Sequence, residues 1–100
     1  MDVTYRIDKD ILYIAVEGRV DASNAADAEN KIFEIKNANP DKHVVLDAEK
    51  LEYVSSAGLR VILKAQKLMN AQGAMKLTHV NETIMEVFDI TGFADILTIE

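Results

Sequence analysis

The chain contains no cysteine among its 100 residues. Disulfide frameworks, thiolate nucleophiles and Cys-based zinc sites are therefore excluded, which accords with an expected place in a reducing cytoplasm. No apolar run approaches the roughly 20 residues that a transmembrane helix requires, because charges interrupt every hydrophobic segment. Residues 1–6 lack the basic-then-apolar pattern of a secretory signal, so export is not expected. Positive charge is also in deficit, with 11 Lys and Arg against 17 Asp and Glu and a net charge of −6. Phosphate binding needs concentrated positive charge, so proteins or small ligands are the expected partners, and neither nucleic acid nor a membrane is. The only histidines, His43 and His79, have no Cys companion and no His-Glu-x-x-His spacing. They predict no metal site and read as ordinary strand-boundary residues. The Gly-x-Ser-x-Gly elbow and the Gly-rich phosphate fingerprints are missing as well. A non-enzymatic protein without a cofactor is expected. What is present is a hydrophobic content of 49%, enough for one core, since folding at this length buries roughly 60–70% of the surface. A single domain over residues 1–100 is predicted.

Four glycines and one proline punctuate the chain. Val3–Ile7 and Ile11–Val16 predict two antiparallel strands around the polar turn Asp8-Lys9-Asp10. Leu12, Ile14 and Val16 alternate with Ile11, Tyr13 and Ala15, so both faces are apolar and the second strand is expected inside the sheet. Ala25, Ala28, Ile32 and Ile35 then recur at helical spacing, with Asp21, Ser23 and Asn24 each offering a cap and Asn37-Ala38-Asn39-Pro40 ending the helix. His43–Asp47 reads as a buried parallel strand. A second helix follows, with Leu59, Ile62, Leu63, Leu68 and Met69 apolar, Arg60, Lys64 and Lys67 forming a basic line, and Gly73 closing it. Met75–Thr78 predicts a strand, Asn81-Glu82-Thr83 opens a third helix stopped by Gly92, and Ile96–Ile99 predicts a last strand. Met69, Met75 and Met85 read as core. The order β-β-α-β-α-β-α-β implies an α/β layer structure: a mixed, mostly parallel sheet with an N-terminal hairpin and its helices mainly on one face.

Two of the three serines, Ser55 and Ser56, are adjacent where a loop enters the second helix. A helix N-terminus carries unpaired N–H groups and about half a positive charge, so it accepts a hydroxyl cap and, better, a phosphate. Spacing alone favours one serine as a cap and the other as an exposed neighbour, with Gly58 allowing another backbone to come close. Asp21 and Asp47 stand at predicted strand ends, where parallel α/β sheets gather their sites. From the residues alone, Asp21 reads as a helix cap and Asp47 as loop chemistry. The basic line from Arg60 reads as a solvated helix face or as a docking stripe.

Leu51-Glu52-Tyr53-Val54-Ser55-Ser56-Ala57-Gly58-Leu59-Arg60-Val61-Ile62-Leu63 closely resembles the signature of the STAS domains, the anti-sigma factor antagonist family. Gly18-Arg19-Val20-Asp21 with Asn24, Val44-Val45-Leu46-Asp47, and Thr91-Gly92-Phe93 with Ile96-Leu97 resemble further family segments, in family order. The resemblance implies a switch protein that binds an anti-sigma factor and so releases a sigma factor for transcription. It implies that this anti-sigma factor is also a Ser/Thr kinase, that it phosphorylates Ser56, and that a PP2C-type phosphatase reverses the modification. Asp21, Asn24, Ser55, Ser56, Ala57, Gly58, Leu59 and Arg60 are then the implied partner-binding residues, with Asp47 bracing the loop. Ser55 stands where the family commonly has Asp, and so offers a second hydroxyl as an alternative acceptor. Two other uses of the fold remain open: a small-ligand or nucleotide-binding module of a sensor or transport complex, and an interaction subunit that is never phosphorylated.

Overall fold

The computed structural model describes residues 1–70 and 75–100. Strand β1 (Asp2–Asp8) turns back through Lys9, whose φ is +56°, into β2 (Ile11–Val20). The two pair antiparallel from Asp2↔Glu17 to Asp8↔Ile11. β2 also pairs in parallel with β3 (His43–Asp47), so it is an inner strand as its two apolar faces predict. β3 pairs in parallel with β5 (Met75–Thr78), which gives the order β1-β2-β3-β5.

The Ile11–Val16 strand continues beyond its expected end. At Gly18 φ is +88°, a conformation glycine adopts without strain, and the register shifts between Gly18 and Arg19. Past this bulge Arg19 and Val20 pair in parallel with Tyr53 and Val54 of β4 (Leu51–Val54). β4 is absent from the sequence reading because Leu51 and Val54 are buried while Glu52 and Tyr53 are both exposed, which hides the two-residue period of a strand.

Helices α1 (Ala25–Ala38) and α2 (Ser56–Asn70) cover the face that carries Leu12, Ile14, Val16, Val44, Leu46 and Leu77, all buried. α3 (Glu82–Thr91) packs against β4 and inserts Ile84 and Phe88 into the same core. Asn81 caps α3 by accepting the Ile84 N–H at 2.8 Å, and Gly92 ends it at φ +78°. Asn39 ends α1 with φ −135°, within the segment expected to stop it. Gly73, read as the stop of α2, lies outside the described residues.

Three expectations change. Leu68 on α2 is exposed, not buried. The buried row of α1 runs Ala25, Ala28, Ile32, Lys36, and Ile35 is half-buried. Lys36 is only 3% exposed because its ammonium donates to the Pro40 and Lys42 carbonyls at 2.9 and 2.8 Å, so that its alkyl stem packs where an aliphatic residue was expected. The last strand, expected over Ile96–Ile99, is reduced to a single parallel bridge between Leu77 and Ile99 that follows a turn of 3-10 helix, Phe93–Asp95. Gln66 of α2 explains this in part: its Oε1 accepts the Thr98 N–H at 3.3 Å, drawing that segment toward the helix.

Candidate functional site

The end of β2 and the start of α2 meet at Val20. The Ser55 N–H donates to the Val20 carbonyl at 2.9 Å, and a Cβ on Gly58 would lie 3.0 Å from that same oxygen and 3.1 Å from Val20 Cγ1. Glycine is what allows the helix to approach the strand this closely. Ser55 opens α2 by accepting the Leu59 N–H on its carbonyl at 2.9 Å, and its Oγ faces the Gly58 N–H at 3.5 Å, a long cap contact. Ser55 is half-buried, whereas Ser56, the first residue of the helix, is exposed. The adjacent serines thus divide into cap and exposed neighbour. Ala57 is half-buried, Gly58 and Leu59 are buried, and Arg60 is exposed one turn beyond Ser56.

The segment after Val20 forms the other wall. Asp21 Oδ1 accepts both the N–H and the hydroxyl of Ser23. The Ser23 hydroxyl, then the Ser23 N–H, with smaller help from Arg19 and Asn24, hold the Asp21 carboxyl below the usual carboxylate value despite some desolvation. Asp21 is therefore a fixed negative charge beside the start of α1. Asn24 occupies the cap position of α1 without a side-chain cap bond. Its Oδ1 accepts the Asp21 N–H at 2.9 Å and its Nδ2 donates to the Arg19 carbonyl at 2.9 Å, so it clamps the Arg19–Asp21 turn.

The sequence reading missed Arg19 and Tyr53 as a pair. They face one another across β2 and β4, with the guanidinium 4.6 Å from the ring centre. Only recognition of Leu51–Val54 as a strand would have revealed it. The basic line on α2 is also less uniform than its spacing suggests, since Lys64 pairs with Glu29 of α1 at 3.0 Å and leaves Arg60 as the cation next to Ser56. Asp47 lies at the end of β3, and its Oδ1 accepts the Glu49 N–H at 3.0 Å and meets His79 Nδ1 at 3.0 Å. Among the described residues its hydrogen bonds run to that turn and not to Ser55 or Ser56. His43 is exposed at the start of β3, whereas His79 is more than a boundary residue because of its contact with Asp47.

An exposed serine at a helix start, a clamped acidic turn after β2 and a cation–aromatic pair across the adjoining strands lie at the junction of β2, β4 and α2. The matching family model is the STAS domain, over residues 2–100. The chain belongs to this family. It is 36% identical over 90 residues to BtrV of Bordetella bronchiseptica, provisionally named an anti-sigma factor antagonist, covering 89% of this chain and 77% of that protein. It is 26% identical over 100 residues to the anti-sigma-B factor antagonist of Bacillus subtilis, covering 99% and 90% respectively. The fold is also that of the anti-sigma factor antagonist SpoIIAA in its unphosphorylated form, with a TM-score of 0.71 and 15% identity over 99% of this chain and 87% of that one. The phosphorylated form of SpoIIAA, from Bacillus, gives the same TM-score of 0.71 at 16% identity, over 99% and 91%.

Proposed function

We propose that this chain is an anti-sigma factor antagonist, a regulatory and non-enzymatic protein whose docking surface centres on Ser56 and is switched by phosphorylation there. The partner is an anti-sigma factor with Ser/Thr kinase activity, a PP2C-type phosphatase restores the hydroxyl, and the setting is the cytoplasm. Asp21, Asn24, Ser55, Ala57, Gly58, Leu59 and Arg60 complete the surface, and Asp47 braces the β3–β4 turn. The observation that carries this reading is the division between the serines: Ser56 is exposed at the first position of α2, while Ser55 is half-buried as its cap. The names of the relatives favour antagonist activity over the small-ligand alternative.

Phosphorylation adds about −1.5 to −2 charges and a tetrahedral group. The start of α2 has no acidic residue in its first turn, so the free protein accommodates that charge on the open N–H groups of the helix. A partner surface shaped for a neutral hydroxyl does not, and the modification acts on the complex more than on the fold. Incubation with the cognate kinase and ATP should place one phosphate on Ser56 by intact-mass and site mapping. Ser56→Asp should weaken partner binding at least tenfold with a nearly unchanged thermal midpoint. Equal affinity of this variant and the parent would refute the switch, and modification at Ser55 instead would move the acceptor by one residue.

A further inference from the structure

Outside the docking surface, three side chains that ligate metals converge at the C-terminal ends of β3 and β5. Asp47 ends β3, Glu49 sits in the turn that follows, and His79 succeeds the last residue of β5. One donor atom from each lies within 4.8 Å of the others, and Asp47 Oδ1 and His79 Nδ1 are 3.0 Å apart. The backbone holds the first and third in place. Thr78 O accepts the Ala48 N–H at 2.9 Å, which joins the two strand ends, and His79, with φ +58°, places its Nδ1 against Asp47.

We infer that Asp47, Glu49 and His79 form a binding site for a divalent first-row transition-metal ion of the zinc type, independent of the Ser56 switch. Two donors 3.0 Å apart sit at about 90° around an ion that is about 2.1 Å from each, which suits adjacent positions of a five- or six-coordinate site. Glu49 is exposed, so its carboxylate would have to swing in to complete the set. Water fills the other positions. The imidazole separates this group from an ordinary acidic cluster: it selects zinc, cobalt or nickel over magnesium and calcium, which prefer all-oxygen shells. Two carboxylates offset the ion's charge, and the net charge of −6 adds a favourable field. Bound metal would tie the β3–β4 turn to the end of β5, replacing the single Asp47–His79 hydrogen bond by coordination to three side chains.

The test is calorimetric titration of the metal-free protein with zinc chloride, and with magnesium chloride as the contrast. The parent should bind one zinc ion and show no saturable magnesium binding. Asn tolerates positive φ, so His79→Asn preserves the turn, and Asp47→Asn retains an oxygen for the Glu49 N–H. Each should weaken zinc binding at least tenfold while circular dichroism confirms the fold, and His43→Ala should leave it unchanged. Zinc should also raise the thermal midpoint of the parent and not that of His79→Asn. No zinc binding by the parent, equal binding by His79→Asn, or a loss confined to His43→Ala would each overturn the assignment.

Discussion

A methyl group added at Gly58 would meet the Val20 carbonyl oxygen at 3.0 Å, and that oxygen is already held by the Ser55 N–H. Within a helix Gly→Ala ordinarily gains roughly 0.5–1 kcal/mol. Here the overpacking cost of about 1–3 kcal/mol prevails, because the carbonyl cannot retreat without loosening its hydrogen bond. Gly58→Ala should therefore lower the thermal midpoint and shift the amide resonances of Val20, Ser55 and Ser56. Asp21 yields a prediction in pH. Its carboxyl is held low in the folded state, chiefly by Ser23, so its stabilising contribution is complete above the unfolded-state pKa and is lost as pH falls through the folded value. That contribution is constant at neutral pH and disappears only in acid. A carboxyl-carbon NMR titration should give Asp21 a midpoint below that of an aspartate in an unstructured peptide, and Ser23→Ala should raise it.

Among the elements, α2 joins the docking surface to the far end of the sheet. Gln66 is fully buried, with Nε2 donating to the Met75 carbonyl at 3.0 Å and Oε1 accepting from Thr98 at 3.3 Å. Gln66→Leu would leave two backbone groups without these partners, at a cost of about 1–3 kcal/mol. Its melt should shift down, and hydrogen exchange should quicken at Thr98 and Glu100 before the rest of the sheet. Gln66 also marks the limit of what the sequence makes legible. Alternation along Ile11–Val16, the helical spacing of Ala25, Ala28 and Ile32, and the stop at Gly92 are local signals, and each element formed where they point. Lys36 occupies a core position because of carbonyls in the loop that ends its helix, and Gln66 because of a carbonyl and an amide from other segments, which no period reveals. β4 was hidden for a similar reason, since its pairing depends on a bulge that carries β2 past Gly18. Within the candidate site, Ser56 and Gly58 were readable from one contiguous motif. The Arg19–Tyr53 pair was not, because its members lie on different strands, and the gathering of Asp47 and Glu49 with His79 was not, because His79 follows a strand some thirty residues further on.

At the scale of the whole molecule, charge decides how the proposed switch responds to its medium. Phosphorylation would take the chain from −6 to roughly −8. If repulsion by the partner opposes docking of the modified surface, salt should relieve it, since the screening length falls from about 10 Å at 0.1 M to about 3 Å at 1 M. The affinity gap between Ser56→Asp and the parent should then narrow severalfold between these conditions in a binding titration. A gap independent of salt would point to steric exclusion. The hydrogen bond from Ser55 to Val20 sets a different constraint. It joins two stretches that lie far apart along the chain, so a cleaved fragment that carries Leu51–Arg60 bears Ser56 without the wall built from Arg19 to Asn24. Under the proposed function the recognised object is thus a junction and not a peptide, and occupancy of the partner becomes a count of intact molecules.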